Sequence, residues 1–340
     1  MTRKIERLGR MSRRRFVALT GAGVAGATAP SLLGGVARAQ TYPSGRVEIV
    51  VGYSPGGAAD ITARILADYL QNTMGGEFIV TNRPGAGGNI AARYVASAEP
   101  DGATLLLGNT GEMAINKHLL ENVDVDPDAE LQAVALGYIT PHIMAVPHDS
   151  PFETLEDYLA AARERPGRVQ FASAGLGTPG HLAGEMLIQV ADVDLIHVPY
   201  QGGSQALADV VGGQVDCYFS SLPAAVGYME SGDIRPLAIT SNERSSRFPD
   251  VPTVAEVVGV EEFDFPLWGG LFAPTGTDEA IVEALNEAVR GIADDEDVLD
   301  QIASMNFDVL PMTSDEFAQL VQAESDKYQD LISTAGISAQ

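Results

Sequence analysis

Cysteine, lysine and histidine are scarce in this 340-residue chain, and each shortage closes off some chemistry. Cys217 is the single cysteine, so neither an intramolecular disulfide nor a cysteine-built metal cage is available. Its setting, Val215-Asp216-Cys217-Tyr218-Phe219, reads as a strand with a buried small residue rather than a reactive thiol. The five histidines are His118, His142, His148, His181 and His197. No two of them have the spacing of a helical ligand pair, which argues against zinc. The chain contains no Gly-Lys-Ser or Gly-Lys-Thr for a phosphate loop and no Gly-x-Ser-x-Gly nucleophile elbow. It also lacks a fixed-period repeat and any low-complexity tract.

Positive charge is concentrated at one end. Residues 1–39 hold eight of the 21 basic residues and one of the 46 acids, so the remainder carries 13 against 45, a net of about −32. Lys117 and Lys327 are the only lysines left in that remainder. Such a surface disfavours nucleic acid and anionic membranes as partners. The plain reading is a solubilising surface. The sharper one is a halophile's protein, because the lysine shortage accompanies the acid excess. Concentrated salt shrinks the Debye length to roughly 3 Å, so an anionic ligand would feel only the local field of its site.

Ser12-Arg13-Arg14-Arg15-Phe16-Val17 fits the twin-arginine export pattern, and a weakly apolar stretch over 16–36 follows it. Ala37-Arg38-Ala39 then offers a small-x-small cleavage site before Gln40. The alternative is an uncleaved anchor, for which the Gly, Ser, Thr and Pro30 of that stretch are poorly suited. The mature product is expected outside the cytoplasm, in the periplasm or beyond.

From Arg46 onward, strand and helix signals alternate. Strands are predicted at 47–51, 78–80 and 104–108, with helices at 60–70 and 90–97 between them, a βαβαβ unit. The acidic stretch 121–130 reads as a loop. A proline-flanked strand at 143–146 carries the chain into a second domain, where the alternation restarts. Helices are expected there at 155–163, 181–190 and 204–211, and strands at 169–172, 195–198, 215–219 and 235–240. The apolar segment 263–274 with Trp268 is the return crossing, and two helices at 278–293 and 314–333 close the chain, the latter capped by Thr313 or Ser314. The expected fold is therefore α/β, with mostly parallel sheets. Residues 40–142 plus 265–340 make one domain, 143–264 the other, and a cleft lies between the two crossings.

Four glycine-rich turns each follow a strand and precede a helix: Ser54-Pro55-Gly56-Gly57, Pro84-Gly85-Ala86-Gly87-Gly88, Gly175-Leu176-Gly177-Thr178-Pro179-Gly180 and Gly202-Gly203-Ser204. A helix start presents unpaired N–H groups and the positive end of the helix dipole, and glycine lets a ligand approach the backbone. In open α/β sheets ligands sit beyond the carboxyl ends of strands, where all four turns fall. The third turn matches Gly-x-Gly-x-x-Gly, but the next strand ends in Pro199-Tyr200 without the acid that a ribose requires. A carboxylate cradle needs no such acid, and Thr178 adds a hydroxyl. Ser173 and Ser204 read as hydrogen-bond donors, and His181 as a first-turn or interdomain residue. Asp60 reads as an acid reaching back to an N–H, Arg64 as surface, Arg83 as a brace for the second turn and Asp216 as a turn residue.

These residues resemble the substrate-binding receptors of tripartite tricarboxylate transporters, the Bug receptors. The resemblance runs from about Tyr42 to Gly336. It rests on Gly52-Tyr53-Ser54-Pro55-Gly56-Gly57, Asn82-Arg83-Pro84-Gly85-Ala86-Gly87-Gly88, Pro100-Asp101-Gly102, His181-Leu182-Ala183-Gly184-Glu185, His197-Val198-Pro199-Tyr200-Gln201-Gly202-Gly203 and Trp268-Gly269-Gly270-Leu271-Phe272-Ala273-Pro274. It implies a type II periplasmic-binding-protein fold and capture of a small di- or tricarboxylate between domains by backbone amides and bridging waters. Two departures stand out, Ser54 and Gln201, where proline or alanine and lysine are common. Carried over by position, the first lip is Tyr53, Ser54, Pro55, Gly56 and Gly57. The second is Ala174, Gly175, Gly177 and Thr178, with Asn109, Thr110, Tyr200, Gly202, Gly203 and Ser204 nearby. The implied protein is a monomeric receptor without catalytic residues, cofactor or metal, serving the large and small membrane subunits of a transporter. An exported oxidoreductase using the Gly175 turn and a sensory carboxylate-binding protein are the alternatives.

Overall fold

Short β-branched runs alternate with amphipathic stretches to build two five-stranded sheets. The computed structural model describes residues 42–121, 123–261, 263–304 and 307–337. The export signal read over residues 1–39, with cleavage at Ala39, lies outside them. In chain order the strands are β1 (Arg46–Val51), β2 (Glu77–Asn82), β3 (Thr104–Asn109), β4 (Leu131–Thr140), β5 (His142–Pro147), β6 (Val169–Ser173), β7 (Leu195–Pro199), β8 (Cys217–Ser221), β9 (Ile234–Ile239) and β10 (Leu267–Pro274). The helices are α1 (Ala58–Met74), α2 (Asn89–Ala96), α3 (Asn116–Leu119), α4 (Pro127–Glu130), α5 (Leu155–Glu164), α6 (Pro179–Ala191), α7 (Gly203–Val211), α8 (Leu222–Ser231), α9 (Val254–Val258), α10 (Glu279–Arg290), α11 (Glu296–Ser304) and α12 (Ser314–Ala335).

The first sheet has the order β2-β1-β3-β10-β4 and the second β7-β6-β8-β5-β9. In each, four strands run one way and one, β10 in the first and β5 in the second, runs against both of its neighbours, so two pairings are parallel and two antiparallel. The expectation of mostly parallel sheets is thus corrected to mixed ones. β10 enters the first sheet on returning from the second and so runs against β3, pairing Leu271 with Leu107.

Helix α1 forms because Ile65, Leu66 and Leu70 fall on one face and are buried against the first sheet, with Ile61 and Tyr69 packed beside them. At the far end of the chain, Thr313 Oγ1 accepts from Glu316 N–H and Glu316 Oε2 accepts from Thr313 N–H, a reciprocal cap for α12. Trp268 on β10 is fully buried and meets Phe317 of α12 edge-on, with ring centroids 5.9 Å apart. Cys217 is buried in β8, and Asp216 accepts from the N–H of Gln170 at 2.9 Å, tying the start of β8 to β6.

Two crossings connect the sheets. Pro141 alone separates β4 from β5, and the second crossing approaches β10 through Phe265. They are cross-tied. Thr240 Oγ1 accepts from the N–H of His142 at 3.0 Å, the N–H of Phe265 donates to the Thr240 carbonyl at 3.1 Å, and the His142 ring donates through Nδ1 to the Phe265 carbonyl at 3.1 Å. No helix among the described residues is long and apolar enough to cross a membrane.

Candidate functional site

The four glycine-rich turns emerge from β1, β2, β6 and β7 and face one another between the sheets. A cavity of ≈ 40 Å³ is lined by Tyr53 and Gly57 at the first turn, Ala58 and Ala59 at the start of α1, Asn109 from the end of β3, and Ala174, Thr178 and Pro179 around the third turn. Gly203, His142, Tyr218, Ser221 and Leu267 complete it. Helices α1 and α7 both begin at its wall. Their N-cap residues are Gly57 and Gly202, and neither has a side-chain cap. The first-turn N–H groups of two helices, one per sheet, are thus left to whatever occupies the cavity. α6 differs. Thr178 Oγ1 accepts from His181 N–H at 3.3 Å, and Pro179 has no N–H to offer.

The wall carries no charged side chain among these residues. Burial lowers His142 to about 4, so it is neutral above that range, and burial raises the Tyr218 phenol. The partial charges that remain are the positive helix ends. The arrangement suits a small anion.

The residues expected at the site fall into distinct places. Tyr53, Gly57, Asn109, Ala174, Thr178 and Gly203 line the cavity. Ser54, Pro55, Gly202 and Ser204 do not line it but meet across the two sheets next to its lining residues. Ser54 N–H and Oγ both donate to the Gln201 carbonyl, at 3.3 and 3.1 Å, and Ser204 Oγ donates to the Pro55 carbonyl at 2.8 Å. Gly202, at φ 155°, has no room for a side chain, because a Cβ there would lie 2.9 Å from Ser54. Tyr53 and Ala174 also border a second cavity of ≈ 270 Å³, together with Gly175, Tyr200 and the Gly85–Gly88 turn, so that second turn has a place between the sheets. Arg83 stacks on Tyr94 of α2 at 3.7 Å, beside that turn.

Three of the expected residues point elsewhere. Thr110 is fully buried and exchanges hydrogen bonds with the Trp268 backbone. The N–H of Gly56 is spent on Asp60 at 2.9 Å. Burial opposes ionisation of Asp60, but hydrogen bonds from Arg64, Gly56 and Asn82 hold it below the usual carboxylate range. The N–H of Gly177 donates to His181 Nδ1 at 3.3 Å. The sequence reading passed over Ala58, Ala59, His142, Pro179, Tyr218, Ser221 and Leu267. Ser221-Leu222-Pro223 was a legible helix start, whereas nothing local marked His142.

His181, Glu185 and His197 bring ligand-type atoms within 4.8 Å of one another. Histidine spacing does not reveal this group, because its helical i, i+4 pair is His181 with Glu185. Hydrogen bonds decide its chemistry. Gly177 N–H occupies the Nδ1 lone pair of His181, which places that ring's proton on Nε2. Ser173 Oγ and His197 Nε2 share a hydrogen bond at 2.7 Å, and the two rings stack at 4.3 Å. Burial holds His181 at about 4 and His197 at about 3, the latter helped by His181. The group braces the third turn.

Behind Tyr53 lies Glu112, on a π-helical turn over Gly111–Ile115. It is fully buried and has no cation partner among the described residues. Burial pushes its carboxyl up to about 8. Gly88 makes room for it, since a Cβ there would lie 2.7 Å from Glu112 Oε2.

Two mixed α/β sheets joined by paired crossings, with glycine turns facing across a cleft, define the two-domain fold of the periplasmic binding proteins. Residues 62–337 match the model of the tripartite tricarboxylate transporter family receptor, and the chain belongs to that family, which is of the solute-binding type. Among curated relatives, a UPF0065 protein from the tcbD-tcbE intergenic region of Pseudomonas sp. (strain P51) is 36% identical over 295 residues, covering 87% of this chain and 88% of the relative. An R. palustris protein solved with adipate superposes with a TM-score of 0.84 at 31% identity, covering 87% of this chain and 99% of the other. MatC from Rhodopseudomonas palustris, solved with malate, gives 0.81 at 32% identity, covering 86% and 100%.

Proposed function

We propose that this chain is an exported receptor that closes on a small di- or tricarboxylate and delivers it to the large and small membrane subunits of a tripartite transporter. One observation carries the reading. Two glycine-capped helix starts, from opposite sheets, converge on one uncharged cavity. A carboxylate there takes backbone N–H bonds from both sides, with Tyr53, Asn109 and Thr178 beside it. The adipate and malate held by the two solved relatives are of the same ligand class. Hydrogen bonds to a charged group contribute a net ~1.5–3 kcal/mol each, so a few of them supply micromolar affinity, roughly −8.2 kcal/mol, after entropy costs.

In this reading residues 40–142 with 265–340 and residues 143–264 are the two moving halves. The cross-tied crossings at His142, Thr240 and Phe265 are their hinge, and ligand biases the closed state. The twin-arginine signal directs export, with cleavage near Ala39, and the receptor works as a monomer. Its net charge of −25 and near absence of lysine suit a saline exterior. A thermal-shift screen of malate, adipate, succinate and citrate in molar salt tests the reading. A concentration-dependent rise in Tm for at least one supports it, and no shift with any carboxylate counts against it.

A further inference from the structure

Counting donors around Tyr53 exposes a proton that the site requires. The Tyr53 hydroxyl has three oxygens within hydrogen-bond reach: the Gly87 carbonyl at 2.9 Å, Glu112 Oε2 at 3.0 Å and Asn109 Oδ1 at 3.4 Å. A phenol has one proton to give. Asn109 Oδ1 already receives Gly111 N–H at 3.0 Å, and Asn109 N–H goes to Glu112 Oε1 at 3.1 Å. With Glu112 ionised, the hydroxyl would donate to one oxygen and face a second close acceptor lone pair to lone pair. With Glu112 protonated, Oε2–H donates to Tyr53, Tyr53 donates to Gly87, and every short contact is a hydrogen bond.

Tyr53, with Ala174, lines both cavities, so a group that fixes Tyr53 bears on the cleft. We propose that Glu112 is a positioning residue of this site, working as a protonated carboxylic acid that fixes Tyr53 and admits an anion beside it. This rests on the carboxylate reading above and deepens it. An ionised Glu112 would put a buried, unpaired negative charge behind Tyr53, within the low-dielectric surroundings of the incoming carboxylate. Ligand and ionised Glu112 therefore exclude each other, and binding above neutral pH takes up a proton.

The groups that face Glu112 leave it alone in the working pH range. Tyr53 from the turn after β1 and Tyr138 from β4 are buried phenols whose ionisation is pushed higher by burial and by Glu112 itself. The turn before α2 offers it Gly88, and β3 offers Asn109. His142 at the cavity is neutral above about 4, and free carboxylate ligands are ionised above roughly pH 5. A pH effect on binding between 6 and 9.5 thus reports Glu112.

The test is calorimetric titration of the wild type, Glu112→Gln and Glu112→Ala with malate and with adipate across that range. Repeating it in two buffers of different ionisation enthalpy counts protons. Glutamine reproduces the neutral acid, with an amide N–H for Tyr53 and a carbonyl for Asn109 N–H. The wild type is expected to weaken toward tenfold per pH unit above about pH 8 and to take up a proton there. Glu112→Gln should keep its low-pH affinity throughout with no proton uptake, and Glu112→Ala should bind more weakly at every pH. A carboxylate that binds the wild type with pH-independent affinity, or with the same slope in Glu112→Gln, overturns this inference alone. Failure of the folded wild type to bind either acid at pH 6 overturns the carboxylate reading and this inference with it.

Discussion

The hydroxyl of Ser204, on α7, donates a 2.8 Å hydrogen bond to the carbonyl of Pro55, in the turn before α1, and so ties together the segments that follow β7 and β1, one from each sheet. In the proposed closing motion this bond would form only as the halves meet, and would add to the closed state without stabilising either half. Ser204→Ala should weaken carboxylate affinity about three- to tenfold, the value of one neutral hydrogen bond, and leave the Tm of the ligand-free protein within about a degree. Calorimetry and thermal unfolding check the two halves of that statement.

Gly57 separates the fold from the function more sharply. Its φ of −85° is open to any residue, and a Cβ there meets nothing closer than 3.9 Å. Gly57→Asp would place a carboxylate at the uncapped start of α1, where capping contributes about 1 kcal/mol, and would occupy the anion site with a fixed negative charge. The expected outcome is equal or higher stability to denaturant together with at least a hundredfold loss of malate or adipate affinity.

Glu112 also ties stability to pH. Its folded value of about 8 lies above the ordinary 4.5, so the folded state binds the extra proton and stability falls as pH rises through that window. Glu112→Gln removes the dependence. The variant should match the wild type near pH 4.5 and exceed it by roughly 3 kcal/mol at pH 7, read from denaturant midpoints at the two pH values.

On the acid side the sign reverses. His142 and His181, buried, and His197, half-buried, are held neutral, at about 4, 4 and 3, below the ordinary 6.5. The unfolded chain then binds more protons, and the stability that these residues carry is present above pH 6.5 and lost as pH falls through 4. The Tm should drop over that range. His197→Gln, which keeps a donor for Ser173, should shrink the drop.

Much of this was legible in the sequence. The strand–turn–helix rhythm located the four glycine turns at strand ends, and Thr313 with Glu316 marked the start of α12, because such signals are local. What was missed depends on distant partners. β4 escaped notice behind an acidic run, and its place is set by pairing with β10, more than a hundred residues away. α8 is apolar around much of its surface and lacks a clear face. Nothing in the sequence around Glu112 marked it as buried; in the fold it lies against Tyr53 and occupies the space that Gly88 leaves. The seven cavity residues that were overlooked come mainly from the crossings and β8, where function follows from the way the two sheets meet.

The central claim is that backbone N–H groups at the starts of α1 and α7 hold one carboxylate between them. A crystal structure of the mature protein grown with malate tests it most directly. The account expects carboxylate oxygens within about 3 Å of N–H groups among residues 58–60 on one side and 203–205 on the other. Malate held elsewhere, or held by side chains while both helix starts face only solvent, would contradict it.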